Sequence, residues 1–238
     1  MGICIWSTPG TEPESSTSGL IFPQRPATKP WFMIALTDAF ALFGWALALC
    51  AAASCLQRFW LADRFWANSL LLAFFIALLV PMFGAGLPLT AFFRGISGDL
   101  SITLLALSVW SLCHRLFDVA AINKREFKAL MVTISLAALI LYPTALGLGN
   151  WDAYRLGWGS WWLLAALLAL CGVSVWMGLR VLPALIALAL LSWSFGLIES
   201  TNLWDYLLDP WLSAYALGFV FIKCWQSAFK RFVIRSPH

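Results

Sequence analysis

Long apolar runs separated by short polar connectors fill this chain, and that pattern restricts the folds open to it. A helix needs about 20 apolar residues to cross a bilayer. Seven runs approach or exceed that length: Trp31 to Leu56, Trp66 to Phe93, Leu100 to Phe117, Ala129 to Leu148, Ser160 to Leu179, Val181 to Ile198 and Pro210 to Phe229. The expected fold class is all-α, a polytopic transmembrane helical bundle of seven spans. Composition agrees: 62% of the residues are hydrophobic and 11% charged, against roughly 25% charged in a soluble domain.

The connectors are too short to fold into a soluble domain. Residues 31–238 therefore read as one transmembrane helical domain. Residues 1–30, rich in Ser, Thr, Pro and Gly, read as a disordered tail. The tail lacks the basic-then-apolar layout of a signal peptide. Span 2 departs from a plain helix, because Pro81, Gly84, Gly86 and Pro88 interrupt its second half. A helix to about Met82 is expected there, followed by a kinked or re-entrant piece shielded by protein or facing water. Spans 5 and 6 meet at Arg180 with almost no loop and form a tight antiparallel pair. Ala165 and Ala169 supply the small-residue spacing that permits close helix contact.

Basic residues set the orientation. With alternating spans, one side receives Arg58, Arg64, Arg115, Lys124, Arg125, Lys128, Arg180, Lys223, Lys230, Arg231 and Arg235. The other receives Arg25, Lys29, Arg94 and Arg155. The first side is read as cytoplasmic, with the N-terminus outside and the C-terminus inside. Acids divide the opposite way: Asp63, Asp118 and Glu126 lie inside, and Glu12, Glu14, Asp38, Asp99, Asp152, Glu199, Asp205 and Asp209 outside. Amphipathic rings favour the headgroup level. Trp31, Trp151, Trp158, Trp161, Trp162, Trp204 and Trp211 fall at the outer interface, and Trp60, Trp66, Trp176 and Trp225 at the inner one.

Several chemistries find no support. The net charge of +4 gathers in loops instead of a basic stripe with stacking aromatics, so nucleic acid is not an expected partner. The two histidines are His114 and the terminal His238, so the two axial ligands within the bilayer that a bis-histidine haem needs are absent, and a His-rich membrane zinc site, which needs three or four ligands, is a poor match. The six cysteines form no C-x-x-C pair and read as small core residues. There is no phosphate-binding loop or nucleophile elbow, and Lys223 reads as a snorkelling residue. No cofactor, metal or catalytic residue is assigned.

What remains are four polar elements on the outer side. The densest is Glu199 to Trp211, where Asp209 before Pro210 can cap span 7. Within it Leu203, Trp204, Leu207 and Leu208 share one face of a short helix, and Asn202, Asp205 and Asp209 another. A flat interfacial helix is expected, its greasy side to lipid or to the bundle. In the second, Asn150 to Trp158, Asp152 and Arg155 are spaced to pair, with Tyr154 between them. In the third, Phe93 to Leu100, Asp99 is placed to cap span 3, and Arg94 is open to an acid or an anionic headgroup. The fourth is Asp38, inside span 1, where a carboxylate is costly unless it faces protein or a watery cavity. Each also has a purely structural reading as a helix end or ion pair.

Together these elements predict an acidic, aromatic-rimmed recess open to the outside. The expectation is a non-catalytic subunit or accessory factor of the bacterial inner membrane. Its outer loops would bind a partner protein or a lipid headgroup. The alternatives are a small-solute or ion transporter using Asp38 and the broken span 2, and a lipid-modifying enzyme at the outer leaflet.

Overall fold

The computed structural model describes residues 31–57, 63–82 and 86–235. The tail 1–30, together with Arg58, Trp60, Gly84 and His238, lies outside them. The chain forms α1 (Trp31–Gln57), α2 (Arg64–Leu79), the two-residue strands β1 (Pro81–Met82) and β2 (Leu87–Pro88), and α3 (Leu89–Ser97). It continues through α4 (Ile102–Phe117), α5 (Lys124–Ala145), a 3-10 turn (Ala153–Gly157), α6 (Trp161–Trp176), α7 (Val181–Phe195), α8 (Leu203–Leu207) and α9 (Pro210–Arg235). Apart from the β1–β2 hairpin, in which Pro81 faces Pro88 and Met82 faces Leu87, the fold is all-α.

By length and composition, two helices can cross a membrane, Ala35–Gln57 and Lys124–Ala145. The expectation of seven spans is met only in part by that measure. The apolar helices α2, α4, α6 and α7 hold 15 or 16 residues each. At 1.5 Å per residue they reach about 24 Å, short of a hydrocarbon layer of about 30 Å.

Helix ends follow local chemistry. Asp63 caps α2 by accepting from Phe65 N–H, Asn123 caps α5 through Arg125 N–H, and Ser160 caps α6 through Trp162 N–H. The α2 helix stops at Leu79, earlier than the expected Met82. Val80 is already extended, and Pro81 has no N–H to continue the ladder. A hairpin then turns the chain into α3, and the hydroxyl of Thr90 donates back to the carbonyl of Leu78 at 3.4 Å.

One core runs through α1, α4, α5, α7, α8 and α9 and includes Trp45, Leu105, Met131, Ile186, Tyr206 and Leu212. A second, built on Ala46, Cys50, Leu71, Leu78 and Leu112, holds α1, α2 and α4 together. Outside these cores the surface is apolar. Leu72, Leu136, Leu139, Leu168 and Val175 are each more than half exposed.

The predicted Ala165–Ala169 contact is not made. Both residues are exposed, because α6 buries Leu163, Leu167 and Ser174 instead. Of the two settings expected for the short helix, lipid or the bundle, the structure shows the bundle. α8 turns its greasy side into the bundle, burying Leu203, Tyr206 and Leu207, with Leu208 just beyond it.

Polar links show that the helices alternate in direction. At one end Arg64 pairs with Asp118 at 3.1 Å, Arg115 donates to the carbonyl of Ser54 at 2.5 Å, and Arg125 donates to the carbonyl of Met177 at 2.8 Å. There too Arg180 N–H donates to Glu126. This is the basic end. The opposite, acidic end gathers the start of α1, α3, the start of α4, the end of α5, the 3-10 turn and α8.

The closest approach at the acidic end is at Gly157. A Cβ there would lie 1.6 Å from Asn202 Oδ1 and 2.8 Å from Trp204 Cδ1, both held by hydrogen bonds. Gly157→Ala is expected to cost about 3 kcal/mol by overpacking. Thermal unfolding of the detergent-solubilised chain checks this, and a melting temperature equal to wild type would contradict it.

Candidate functional site

The acidic end is organised around two charged groups. The first is the Arg94 guanidinium on α3. Its Nε donates to Asp99 Oδ1 at 2.7 Å, Nη1 to Asp38 Oδ1 at 2.6 Å and Nη2 to Glu199 Oε2 at 3.3 Å. Three segments far apart in sequence are thus held by one planar fork of donors, a geometry that Arg supplies and Lys does not. Burial works to lower the Arg94 pKa, but the hydrogen bonds to Asp38 and Asp99 more than offset it and raise the value. The second oxygen of Asp99 accepts Glu199 N–H at 2.8 Å, so the chain after α7 is fastened to the chain before α4.

The second group is Asp209, 4% exposed. One of its oxygens accepts from both the amide of Ser101 at 3.0 Å and its hydroxyl at 2.6 Å. The other accepts Leu212 N–H at 2.8 Å in the first turn of α9. A carboxylate this deeply buried is tolerable because donors satisfy both oxygens at the positive ends of two helices.

Between these groups the 3-10 turn meets α8. Tyr154 donates its hydroxyl to Asp205 Oδ2 at 2.9 Å, and the Ser200 hydroxyl donates to the same oxygen. Asn202 caps α8 through Trp204 N–H and donates its side-chain amide to the carbonyl of Tyr154 at 3.0 Å. The Trp204 indole donates to the carbonyl of Ala153 at 2.9 Å. Burial first, then the Asp205 carboxylate, push the Tyr154 phenol pKa well up.

A cleft of 510 Å³ opens between these elements, with Asp99, Glu199, Asp205, Asp209, Tyr142 and Tyr154 among its walls. Its size falls in the range of small-ligand clefts. Of the ten residues singled out in the sequence, Asp38, Arg94, Asp99 and Glu199 form one ion-pair cluster. Tyr154, Asn202 and Asp205 form a hydrogen-bonded unit, and Asp209 lies beneath both.

Two expectations are corrected. Asp99 does not cap α4. Ser101 does, accepting Leu104 N–H, while Asp99 is taken by Arg94 and Glu199. Asp152 and Arg155 do not pair, since Asp152 accepts Tyr154 N–H and caps the 3-10 turn. Arg155 is exposed and has no ion-pair partner among the described residues. Asp209, by contrast, caps α9 as expected, and Pro210 is its first residue.

Sequence reasoning missed Ser101, Ser200 and Tyr142. Ser101 was visible as a good capping residue one position before a helix. Ser200 and Tyr142 give no signal until the loops are brought together.

The chain matches no family model, no curated protein and no solved structure. Its chemistry must therefore be read from the cleft itself. Four carboxylates line it, those of Asp99, Glu199, Asp205 and Asp209, and no cationic side chain is among its walls; the Arg94 guanidinium reaches Asp99 and Glu199 from beside it. Among the described residues, nothing donates to Asp205 Oδ1 or Glu199 Oε1. Those two oxygens are the unused acceptors of the cleft. Among the same residues, no three His, Cys, Asp or Glu side chains are grouped to hold a metal ion.

The buried and half-buried acids should separate by substitution. Asp209→Asn puts an amide donor against existing donors and is expected to lower stability by about 3 kcal/mol. Asp205→Asn should leave the melting temperature within a few degrees of wild type. Equal losses in thermal unfolding would contradict the division. Tyr154 adds a pH dependence: with its pKa raised above the ordinary 10, its contribution is full below pH 10 and lost as pH rises through the folded value. Alkaline titration by phenolate absorbance should lose its late component in Tyr154→Phe.

Proposed function

We propose that this chain is a seven-span protein of the bacterial inner membrane, with its acidic end outside and its basic end in the cytoplasm. In this reading it binds rather than catalyses. The outer cleft receives a positively charged group from a partner protein or a lipid headgroup. The single observation that carries the reading is the convergence of four distant elements on one cleft walled by four carboxylates, two of which keep an unused oxygen.

Other features support the membrane setting. The exterior is apolar around the helices, and large exposed apolar surface marks contact with lipid or partners. Trp151, Trp161 and Trp162 are exposed at the acidic end, and Trp66, Trp176 and Trp225 at the basic end, as two aromatic belts require. The short helices α2, α4, α6 and α7 are accommodated by local thinning of the bilayer and by capped ends in the headgroup layer.

Transport through Asp38 has less support. An acid that takes up and releases an ion must be able to let go, and Asp38 is held by Arg94 at 2.6 Å.

Two measurements test the proposal. In intact cells an impermeant maleimide should label Leu148→Cys, beside the 3-10 turn, and spare Val119→Cys, near the α4–α5 connector. Both residues are exposed. Labelling of both from one side would end the seven-span reading. Purification in mild detergent should then retain a bound protein or lipid. Glu199→Gln with Asp205→Asn should release it while the fold stays intact. A bare, monodisperse wild-type chain would defeat the binding proposal.

A further inference from the structure

The last part of α9 leaves the bundle. Phe219 packs edge-on against Phe127 of α5, with ring centroids 5.3 Å apart, and Val220 still touches the core. Beyond them every residue from 221 to 230 is exposed. α5 ends one turn past Phe127, at Lys124, about 5 Å further on. α9 continues to Arg235, about 24 Å past Phe219. A helix end of roughly 19 Å therefore stands clear of its neighbour at the basic end.

Two unlike faces run along this end. At helical spacing Phe221, Ile222, Trp225 and Phe229 fall on one side, and Lys223 and Lys230 on the other. Phe221 and Trp225 stack at 6.4 Å, so the aromatic side is a continuous ridge. Lys223 reaches back over the Phe219 ring at 5.8 Å. The sequence after Asp209 contains no acidic residue, while Lys223, Lys230, Arg231 and Arg235 are all basic.

This charge pattern decides what covers the surface. A second copy of the segment would set like charges beside each other with no carboxylate to answer them. Aromatic rings with lysines on the opposite side match a bilayer interface, where rings sit at headgroup level and lysines reach phosphates. Each such basic residue strengthens attachment to an anionic leaflet about fivefold.

We propose that the end of α9 is a docking surface for anionic phospholipid, with Phe221, Ile222, Trp225 and Phe229 against the acyl chains and Lys223 and Lys230 on headgroup phosphates. The inference rests on the multi-span reading but not on the outer cleft.

Hydrogen exchange of the full chain in lipid nanodiscs tests it, comparing phosphatidylcholine alone with phosphatidylcholine containing phosphatidylglycerol. Amides of 221–235 should exchange about tenfold more slowly with phosphatidylglycerol. High salt, which screens surface charge, should abolish the difference, and so should Lys223→Glu with Lys230→Glu. Equal rates in the two lipids would overturn the proposal. So would equal protection in detergent, which would assign the surface to a second copy or a protein. Slow exchange of α1 and α5 in both discs reads the multi-span arrangement separately. Indifference of the α9 end alone refutes only this inference, whereas fast exchange in α1 and α5 would remove both.

Discussion

A single buried carboxylate, that of Asp209, lets two helices begin at one place inside an apolar protein. Each helix start leaves amides without intrahelical partners, and those groups cannot be left dry. Asp209 meets the need at α9 through Leu212 N–H and reaches across 108 positions of sequence to the amide and hydroxyl of Ser101. The relay continues, because the Ser101 oxygen also accepts Leu104 N–H and so caps α4. The first turns of α4 and α9 are thereby fixed side by side. α8, packed directly before Asp209, is fixed with them. The cleft inherits its floor from this junction.

Arg94 does for the rim what Asp209 does for the floor, with the signs reversed. Asp38 on α1, Asp99 before α4 and Glu199 after α7 would repel one another if brought together alone. The guanidinium makes their convergence favourable, and its remaining charge deficit leaves the cleft acidic. The tryptophans add neutral ties. Trp45 donates to the carbonyl of Gly98, Trp193 to that of Thr201, Trp204 to that of Ala153, and Trp211 to the hydroxyl of Ser97. Each indole satisfies one acceptor, and those of Trp45 and Trp193 also bury a broad apolar surface. Trp204 and Trp211, read in the sequence as belt residues, are therefore also fasteners of the cleft walls.

How much of this was legible in the sequence follows from the range of each interaction. Local chemistry was readable: Pro210 opening α9, Asp209 capping it, the break at Pro81 and the alternation of helices. The grouping of these acids at one end of the bundle was readable as well, because it follows from the alternation of helices. Assignments requiring a choice between two adequate local partners were not. Asp99 and Ser101 are both good caps, and only the presence of Arg94 and Asp209 in space decides that Ser101 caps and Asp99 pairs. Asp152 had Arg155 at helical spacing, yet the Tyr154 amide was nearer. The Ala165–Ala169 spacing offered close contact on a face that the leucines Leu163 and Leu167 outcompete for burial.

The two ends of the bundle differ in how their charges are spent. At the basic end the links are separate ties between helix ends 52 to 61 positions apart: Arg64 with Asp118, Arg115 with Ser54 and Gln57, Arg125 with Met177, and Glu126 with the amide of Arg180. They tie α2 to the end of α4, α4 back to α1, and α5 to the connector between α6 and α7. At the acidic end several ties converge, some reaching more than 100 positions along the chain, and the loops border a cleft. A loop set built only to connect helices has no need to gather the carboxylates of Asp99, Glu199, Asp205 and Asp209 around one cleft, since each buried or half-buried acid must be held by donors taken from elsewhere in the fold. The imbalance persists because Asp209, Asp99 and Asp205 are each satisfied on at least one oxygen.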